Sequence, residues 1–310
     1  MVKSINLYKS FNIKSYHKGS IVLIGNFDGL HLGHQKLFSL AKDFKKKYSL
    51  KIGVMTFEPM PKMYFNKNIK NFRISNQIQK INLLKKFDVD FVIIKKFDKN
   101  FSKIKSIDFI EKILKKKLNT KFIFVSNNFR FGNKREGDVN QLIQMESRFN
   151  YKIIKPKPLL IKNKIISSSL IRDYLQRGKL YDANKFLNRR WAIEGKVKKG
   201  KQLGKKIGFP TANIDIKDYV LACPGVYAVK AKLTNGSKIF KGIANLGYRP
   251  TFNEKKILLE VHLFNFSGNL YNKDLTVEFL KFIRKEKKFK NINQLREQIK
   301  IDLKIAKRTK

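Results

Sequence analysis

The chain has 310 residues and a hydrophobic fraction of 42%, which is sufficient for about two domains with cores of their own. An aromatic fraction of 12% argues against a low-complexity disordered protein. No apolar stretch reaches the roughly 18 residues of a membrane span, and the first residues lack the apolar core of a signal peptide. Cys223 is the only cysteine, which excludes an intramolecular disulfide, and we expect a cytoplasmic protein.

The formal net charge of +46 raises the question of a nucleic-acid partner. Of the 69 basic residues only 12 are arginine, although specific readers of phosphate and bases favour the bidentate arginine fork. Lysines are spread over nearly every predicted helix and loop, and Lys, Asn, Ile and Phe are all encoded by A/T-rich codons. We therefore expect no specific nucleic acid and no membrane among the partners, but salt-sensitive association with polyanions in vitro.

The first half of the chain alternates short apolar runs with helical patterns. The predicted strands are Ile21–Ile24, Ile52–Phe57, Phe91–Ile94, Phe122–Val125 and Tyr151–Ile154; the predicted helices are His34–Tyr48, Ser75–Phe87, Ser106–Leu118 and the later part of Gly137–Phe149. Strands that alternate with helices of this length predict an α/β domain with a parallel sheet covered on both faces.

The pattern changes near Phe186–Arg190, after which the segments are short, alternating and rich in turns. The predicted elements here include an Asn-Gly hairpin within residues 234–237, strands Leu258–Phe264 and Leu275–Phe282, and a C-terminal helix with an apolar stripe from Ile292 to Ala306. This pattern predicts a small antiparallel β-barrel with a terminal helix. We place the domain boundary between residues 186 and 187, which gives domains 1–186 and 187–310.

The segment Gly25–Gln35, GNFDGLHLGHQ, lies between the first predicted strand and the first predicted helix. Open α/β sheets bind nucleotides at such turns, because ligands lie outside the carboxyl ends of the strands and a helix N-terminus offers free N–H groups to phosphate. His31 and His34 can donate to phosphate oxygens from this turn. The alternative is a tight turn with polar surface histidines.

The same segment resembles the HxGH signature of the nucleotidyltransferase superfamily, and its FDG triplet resembles the flavin branch of that superfamily. The resemblance implies a Rossmann-like domain in which His31 and His34 are catalytic. It further implies that ATP is bound by Gly25, Phe27, Asp28, Gly29 and Gly33.

Ile165–Arg172, IISSSLIR, resembles the second signature of these enzymes, usually written SSTxIR. The resemblance implies that Ser168, Ser169 and Arg172 contact the ATP phosphates. Three serines before a helix are equally compatible with simple helix caps.

Two further segments resemble the flavin side of this domain. The first is Val125–Asp138, VSNNFRFGNKREGD, and its resemblance implies flavin contacts by Asn128, Phe129 and Arg130. The second is the loop TFEPMP, whose resemblance implies a contact by Pro59. Ser126 stands where glycine is usual, and we expect its side chain to crowd a backbone that needs positive φ. Met60 stands where a polar residue is more usual.

In the second half, the string GKKIGFPTAN at positions 204–213 resembles the GRxLGFPTAN signature of riboflavin kinases. The resemblance implies ATP contacts by Gly204, Lys205, Gly208 and Pro210, with Lys205 in place of the usual arginine. Thr211 and Asn213 offer the oxygen ligands that Mg²⁺ prefers.

The strand LLEVHLF resembles the kinase family's LEVHL, whose glutamate acts as general base towards the flavin hydroxyl, which makes Glu260 the predicted base. His262 points to the same face and is interpreted as structural. By the same resemblance, Arg284 is predicted to lie near the flavin.

Both sets of signatures occur in the expected order, and the chain resembles the bacterial bifunctional riboflavin kinase/FAD synthetase family from about Ser20 to Lys307. The resemblance implies that the C-terminal domain converts riboflavin and ATP to FMN, that the N-terminal domain converts FMN and ATP to FAD, and that Mg²⁺ assists both steps. Three alternatives remain: a riboflavin kinase with a decayed adenylyltransferase domain, a nucleotidyltransferase for another acceptor, and a polyanion-binding protein without activity. The sequence leaves the oligomeric state open.

Overall fold

The computed structural model describes residues 4–161, 163–200, 204, 208–216, 218–234, 236–250 and 255–309. The chain forms two compact units, of which the first comprises Met1–Ile69 and Lys80–Ile166 and the second Lys70–Gln79 and Ser167–Lys310. The domain boundary between residues 186 and 187 stays a prediction.

The first unit is an α/β structure. Its strands are β1 (Asn6–Tyr8), β2 (Ile21–Ile24), β3 (Ile52–Glu58), β4 (Phe91–Lys96), β5 (Phe122–Phe124), β6 (Arg130–Phe131), β7 (Gly137–Asp138), β8 (Lys152–Ile154), β9 (Leu160–Ile161) and β10 (Lys164–Ile165). Its helices are α1 (Leu32–Tyr48), α2 (Pro61–Phe65), α3 (Gln77–Lys85), α4 (Lys99–Ser102), α5 (Ser106–Asp108), α6 (Val139–Gln144) and α7 (Glu146–Phe149), and α5 continues as a π-helix over Phe109–Lys117.

Six of these strands form one parallel sheet in the order β1–β4–β3–β2–β5–β8, which confirms the predicted fold class. All four residues of β2 are buried, and alternate side chains enter different cores. Val22 and Ile24 pack in one core and Ile21 and Leu23 in the other. A strand buried on both faces needs a continuous apolar run, which is what IVLI provides.

The direction in which successive strands are added to the sheet reverses at β2. The strands after β2 proceed outward on one side as β3 and β4, whereas β5 and β8 lie on the other side. The loops that follow β2 and β5 therefore leave the sheet at adjacent carboxyl ends, which is where open α/β sheets form their ligand crevice.

The described residues of the second unit form a closed antiparallel barrel, with two helices before it in the chain and one after it. Its elements are α8 (Ser168–Gln176), α9 (Leu180–Leu187), β11 (Ala192–Lys198), β12 (Ala212–Asp215), β13 (Gly225–Leu233), β14 (Phe240–Pro250), β15 (Lys255–Leu263), β16 (Asp274–Lys285) and α10 (Ile292–Arg308). The barrel order is β11–β12–β15–β14–β13–β16, which confirms the predicted barrel and terminal helix. Asn235, the first residue of the predicted Asn-Gly turn, lies outside the described residues.

Residues 70–79 pack with the second unit, although they lie in the first half of the sequence. The backbone of Arg73 forms hydrogen bonds with Asp218 and Val220, at 2.9 and 2.7 Å. The indole Nε1 of Trp191 donates to the carbonyl of Ile74 at 2.9 Å. The predicted helix at 75–87 begins at Gln77 instead, after Asn76 and Gln79 have exchanged side chain to backbone hydrogen bonds.

Within the described parts of the chain, no helix combines the length and the apolarity that a membrane crossing requires.

Candidate active sites

The turn between β2 and α1 has an unusual backbone. Phe27 and Leu30 have φ values of 48° and 35°, and Gly29 has a φ of 80°. Only glycine adopts positive φ without strain, so the conformations of Phe27 and Leu30 need compensation. Both side chains are fully buried in the core, at 2% and 0% exposure, and this burial stabilises the turn.

The turn places the two predicted catalytic histidines against each other at the start of α1. The rings of His31 and His34 are stacked, with centroids 3.7 Å apart and planes inclined by 21°. A Cβ at position 33 would lie 3.2 Å from the His31 ring, which is a tight contact. Glycine at this position therefore leaves room for the His31 ring in the stack. His31 is the residue before the first turn of a 17-residue helix, so the pair lies where the helix presents its free N–H groups.

The His34 ring is uncharged at neutral pH. Burial lowers its pKa well below the usual value, and the positive charges of His31 and Lys80 lower it further. The residue is part-exposed as a whole, but its Nδ1 atom is buried and has no hydrogen-bond partner among the described residues. His34 can therefore offer a neutral ring to an incoming polar group.

A cavity of about 840 Å³ opens at the same edge of the sheet. The loop after β2 contributes Gly25 and Asn26, and the loop after β5 contributes Ser126 and Asn128. The remaining wall includes seven phenylalanines and four cations, namely Phe57, Phe65, Phe97, Phe101, Phe109, Phe129 and Phe131, with Lys62, Arg130, Lys134 and Arg135. This combination suits a flat, apolar ring system that carries an anionic group.

Three of the four flavin contacts predicted for the first domain, Asn128, Phe129 and Arg130, line this cavity. Of the prolines on the loop after β3, Pro61 rather than Pro59 contributes to the wall. Met60 is buried, at 2% exposure, and precedes α2 as a packing residue.

Ser126 does not have the positive φ that was expected at this position, so its side chain causes no backbone strain of that kind. Its hydroxyl donates to the Asn128 side-chain oxygen at 2.9 Å. The expectation of crowding at Ser126 was wrong, because the loop follows a path that any residue can adopt and the hydroxyl finds a partner.

The residues of the predicted second phosphate signature open α8 in the second unit. Ser167 caps this helix by accepting from the Leu170 N–H at 3.2 Å, which leaves Ser168 and Ser169 in the first turn. The guanidinium of Arg172 stacks on the Phe72 ring at 3.7 Å, and its Nε donates to the Phe72 carbonyl at 2.8 Å. Arg172 is thus held in a defined orientation by the 70–79 segment.

A second cavity, of about 470 Å³, lies at the end of the barrel next to α10. It brings together five predicted residues, Gly204, Thr211, Asn213, Glu260 and Arg284. Gly208 and Pro210 are described but exposed, and the Pro210 carbonyl accepts a 2.8 Å hydrogen bond from Nδ1 of His262. Lys205 lies outside the described residues.

Glu260 occupies the centre of a cross-strand row of polar side chains. In the barrel register it pairs with Asn213 of β12 on one side and with Asn245 of β14 on the other. All three residues line the cavity. Sequence reasoning missed Asn245, because strand alternation shows which face a residue is on but not which residue of a distant strand lies beside it.

The guanidinium of Arg284 is engaged in an ion pair with Asp302 of α10, another residue that sequence reasoning missed. Its Nε and Nη2 atoms lie 2.9 and 2.7 Å from Oδ2 of Asp302, and Asp302 is only 1% exposed. Gln298 donates to the same carboxylate at 3.0 Å. The pair fixes α10 to β16 at the wall of the cavity, and a direct flavin contact by Arg284 stays a prediction.

The described residues contain no group of three or more His, Cys, Asp or Glu side chains that could hold a metal ion. Thr211 and Asn213 nevertheless present hard oxygen donors to the barrel cavity, next to Glu260. This donor set fits Mg²⁺ that is bound mainly through substrate phosphates, and it does not form a protein-only metal cage.

Comparison with known families gives two matches. The model of the FAD synthetase family matches residues 13–170, and that of the riboflavin kinase family matches residues 187–310. Together these matches cover nearly the whole chain.

Proteins named bifunctional riboflavin kinase/FMN adenylyltransferase are similar over almost their full length. The one from Buchnera aphidicola (Schizaphis graminum) is 41% identical, with 96% of both chains covered. The one from Escherichia coli K12 is 36% identical, with 92% of this chain and 91% of that protein covered.

Among solved structures, the crystal structure of a Streptococcus pneumoniae protein named as a macrolide-efflux protein has a TM-score of 0.85 at 28% identity. The similarity covers 98% of this chain and 99% of that one. The name describes that protein and is not applied to this chain. The decayed-domain alternative is not favoured, because both family models match and the relatives are named for both activities. The chain belongs to the bifunctional riboflavin kinase/FMN adenylyltransferase family of transferases and carries both an FAD synthetase domain and a riboflavin kinase domain.

Proposed function

We propose that the two cavities act in succession on one flavin, with riboflavin phosphorylated in the barrel and the resulting FMN adenylylated in the first unit. The observation that carries this proposal is that each unit has its own cavity, lined by residues of that unit. The 470 Å³ barrel cavity contains a carboxylate between two amides. The 840 Å³ cavity has seven phenylalanines in its wall and is bordered by Gly25 and Asn26, which begin the turn that leads to His31 and His34, although neither histidine lines it.

In the barrel, Glu260 is the proposed general base for the terminal hydroxyl of the riboflavin side chain. Its carboxylate removes the hydroxyl proton as the oxygen attacks the γ-phosphorus of ATP, and ADP leaves. Asn213 and Asn245 flank Glu260 in the barrel register and orient the carboxylate and the substrate. Gly204, at the edge of the cavity, allows backbone to approach the phosphates.

In the first unit, the aromatic wall is the proposed site of the flavin ring. The cationic residues of this cavity bind the FMN phosphate, and the turn with His31 and His34 binds the ATP phosphates. An oxygen of the FMN phosphate then attacks the α-phosphorus of ATP and releases pyrophosphate, with no covalent enzyme intermediate. The roles of Gly25, Phe27, Asp28, Gly29 and Gly33 are to form the turn and to present its N–H groups.

The residues at α8, Ser168, Ser169 and Arg172, are proposed as further contacts of the ATP phosphates. The N-terminal turn of α8 and the fixed guanidinium of Arg172 have the polarity that a polyphosphate requires.

Magnesium is part of the proposal for both steps. In the barrel, Thr211 and Asn213 would hold Mg²⁺ together with substrate phosphates, where it would neutralise their charge. We also propose a cytoplasmic location and small-molecule substrates, namely riboflavin, FMN and ATP.

The test is incubation of the purified protein with riboflavin, ATP and Mg²⁺, with the flavins separated by chromatography. We expect FMN to form first and FAD afterwards. A second incubation starts from FMN and bypasses the barrel. FMN that accumulates without FAD in both incubations would contradict the adenylyltransferase assignment, and the absence of FMN from riboflavin would contradict the kinase assignment.

A further inference from the structure

Lys80 is a buried lysine beside the histidine turn of the first unit. It lies on α3 and is only 3% exposed, which is rare for a lysine. Its Nζ donates to the Thr56 hydroxyl at 3.3 Å, and that hydroxyl donates to the carbonyl of Asn26 at 3.4 Å. Asn26 lines the 840 Å³ cavity and belongs to the turn that carries His31. Two hydrogen bonds therefore connect the ammonium group to the wall of the cavity.

The histidine pair cannot supply two positive charges to this wall. Two imidazole rings stacked at 3.7 Å repel each other when both are protonated. Burial adds to this effect and holds the pKa of His34 well below its usual value. At neutral pH the pair thus offers hydrogen bonds, but His34 adds no charge.

Adenylyl transfer requires positive charge at this wall. As the FMN phosphate oxygen bonds to the α-phosphorus of ATP, the bond from that phosphorus to the bridging oxygen of the β-phosphate breaks. The electron pair leaves with pyrophosphate, where negative charge accumulates. A fixed cation in a site shielded from water stabilises such charge strongly, because it needs no reorganisation and is weakly screened.

We propose that Lys80 is a buried, fixed positive charge of the adenylyltransferase site, placed behind the histidine turn to stabilise the departing pyrophosphate and to orient the turn through Thr56. This inference rests on the proposed adenylyl transfer in the first unit. Lys80 is a positioning residue with an electrostatic effect on the reaction, and the neutral His34 acts as a hydrogen-bonding group at the phosphates.

The experiment compares three substitutions in the full-length protein. Lys80→Gln keeps an N–H donor for Thr56 but removes the charge, Lys80→Met removes both, and Lys80→Arg keeps the charge. Lys86→Met removes the same charge from an exposed position nearby and is the matched control. Each protein is first tested for FMN formation from riboflavin, which reports whether the preparation is folded and active in the barrel.

We expect Lys80→Gln and Lys80→Met to reduce kcat for FAD formation from FMN by about 100-fold, with KM for FMN changed less than threefold. Lys80→Arg should retain at least tenfold more activity than Lys80→Gln, and Lys86→Met should match the unchanged protein. If Lys80→Gln retains kcat within threefold, the hydrogen bond to Thr56 is sufficient and the proposal is overturned. If Lys80→Met fails to fold, the comparison of kcat for FAD formation between Lys80→Gln and Lys80→Arg still tests the proposal.

A measurement without substrate provides a second, independent readout. An NMR titration of His34 in the ligand-free protein should show a higher His34 pKa in Lys80→Gln, since one nearby positive charge is gone. An unchanged His34 pKa would mean that the ammonium exerts no field at the turn, which would also overturn the proposal. Failure of the unchanged protein to adenylylate FMN would instead refute the underlying function.

Discussion

Glu260 illustrates how a single side chain acquires a role from its neighbours in the barrel. A glutamate in a strand is most often a solvated surface residue, but here it lies in a cavity between Asn213 and Asn245. Amides on both sides can hold the carboxylate in one orientation while it accepts a proton. The chemical step in the barrel should therefore depend on this carboxylate far more than on any surface acid.

Glu260→Gln should reduce kcat for FMN formation by about 10²- to 10⁴-fold, because an amide cannot accept the hydroxyl proton. Supplied FMN should still be converted to FAD. The measurement is chromatography of flavins from separate incubations with riboflavin and with FMN. Glu297→Gln, which changes an exposed carboxylate on α10, is the control and should be unaffected. Near-normal FMN formation by Glu260→Gln would exclude Glu260 as the base.

Glu194 is a second acid in the barrel whose environment is unusual. Burial raises its pKa, and hydrogen bonds from Thr276 and Gln79 offset part of this effect. A raised pKa means that the folded state binds a proton that the unfolded state releases in the pH range between the two pKa values. The free energy of unfolding should thus fall as pH rises from about 4.3 through the folded-state pKa of Glu194.

Glu194→Gln should remove that pH dependence and make the second unit more stable at pH 7 than the unchanged protein. Trp191 is the only tryptophan of the chain, is 1% exposed and belongs to this unit, so its fluorescence follows the relevant transition. The measurement is urea unfolding at several pH values between about 4.5 and 8, a range that starts near the unperturbed Glu pKa. Parallel stability curves for the two proteins would contradict the argument.

At the scale of elements, a buried ion pair joins α10 to the barrel. Asp302 and Arg284 face each other with side-chain exposures of 2% and 15%, and Leu295 and Ile299 of the same helix line the cavity. Removing one partner of a buried pair leaves a charge without compensation, which costs much more than the net stabilisation by the intact pair. The position of α10, and with it one wall of the riboflavin site, should depend on Asp302.

Asp302→Asn should lower the free energy of unfolding of the second unit by about 3 kcal/mol and raise KM for riboflavin. Urea unfolding followed by Trp191 fluorescence measures the first effect, and initial rates of FMN formation measure the second. Glu297→Gln breaks an exposed ion pair on the same helix and should cost less than about 1 kcal/mol. Unchanged stability in Asp302→Asn would show that α10 is held by its apolar contacts instead.

At the scale of the whole molecule, the two proposed reactions use residues from different cavities. The histidine turn and the aromatic wall belong to the first unit, and Glu260 with its flanking amides belongs to the second. Each cavity is lined by residues of its own unit. A defect in one cavity should therefore leave the chemistry of the other intact.

The variant His31→Ala/His34→Ala should abolish FAD formation, by at least about 100-fold, while FMN formation continues at the normal rate. The assay starts from riboflavin and measures both flavins over time, so that FMN should accumulate. Far-UV circular dichroism confirms that the variant is folded. Loss of FMN formation in a folded variant would refute the separation of the two activities.

The sequence by itself determined the two fold classes, the strand-to-helix turn with its histidines, and the motif residues that line each cavity, such as Asn128 and Glu260. These features are local: periodicity reports burial within one element, and a short string reports its own turn. Tertiary structure alone decided which distant residues meet, as with Asn245 beside Glu260, Asp302 against Arg284, and Lys80 behind the turn through Thr56. It also placed residues 70–79 in the second unit and relieved the expected strain at Ser126. Such contacts depend on strand order and on packing between elements, and neither is encoded in the pattern of any single segment.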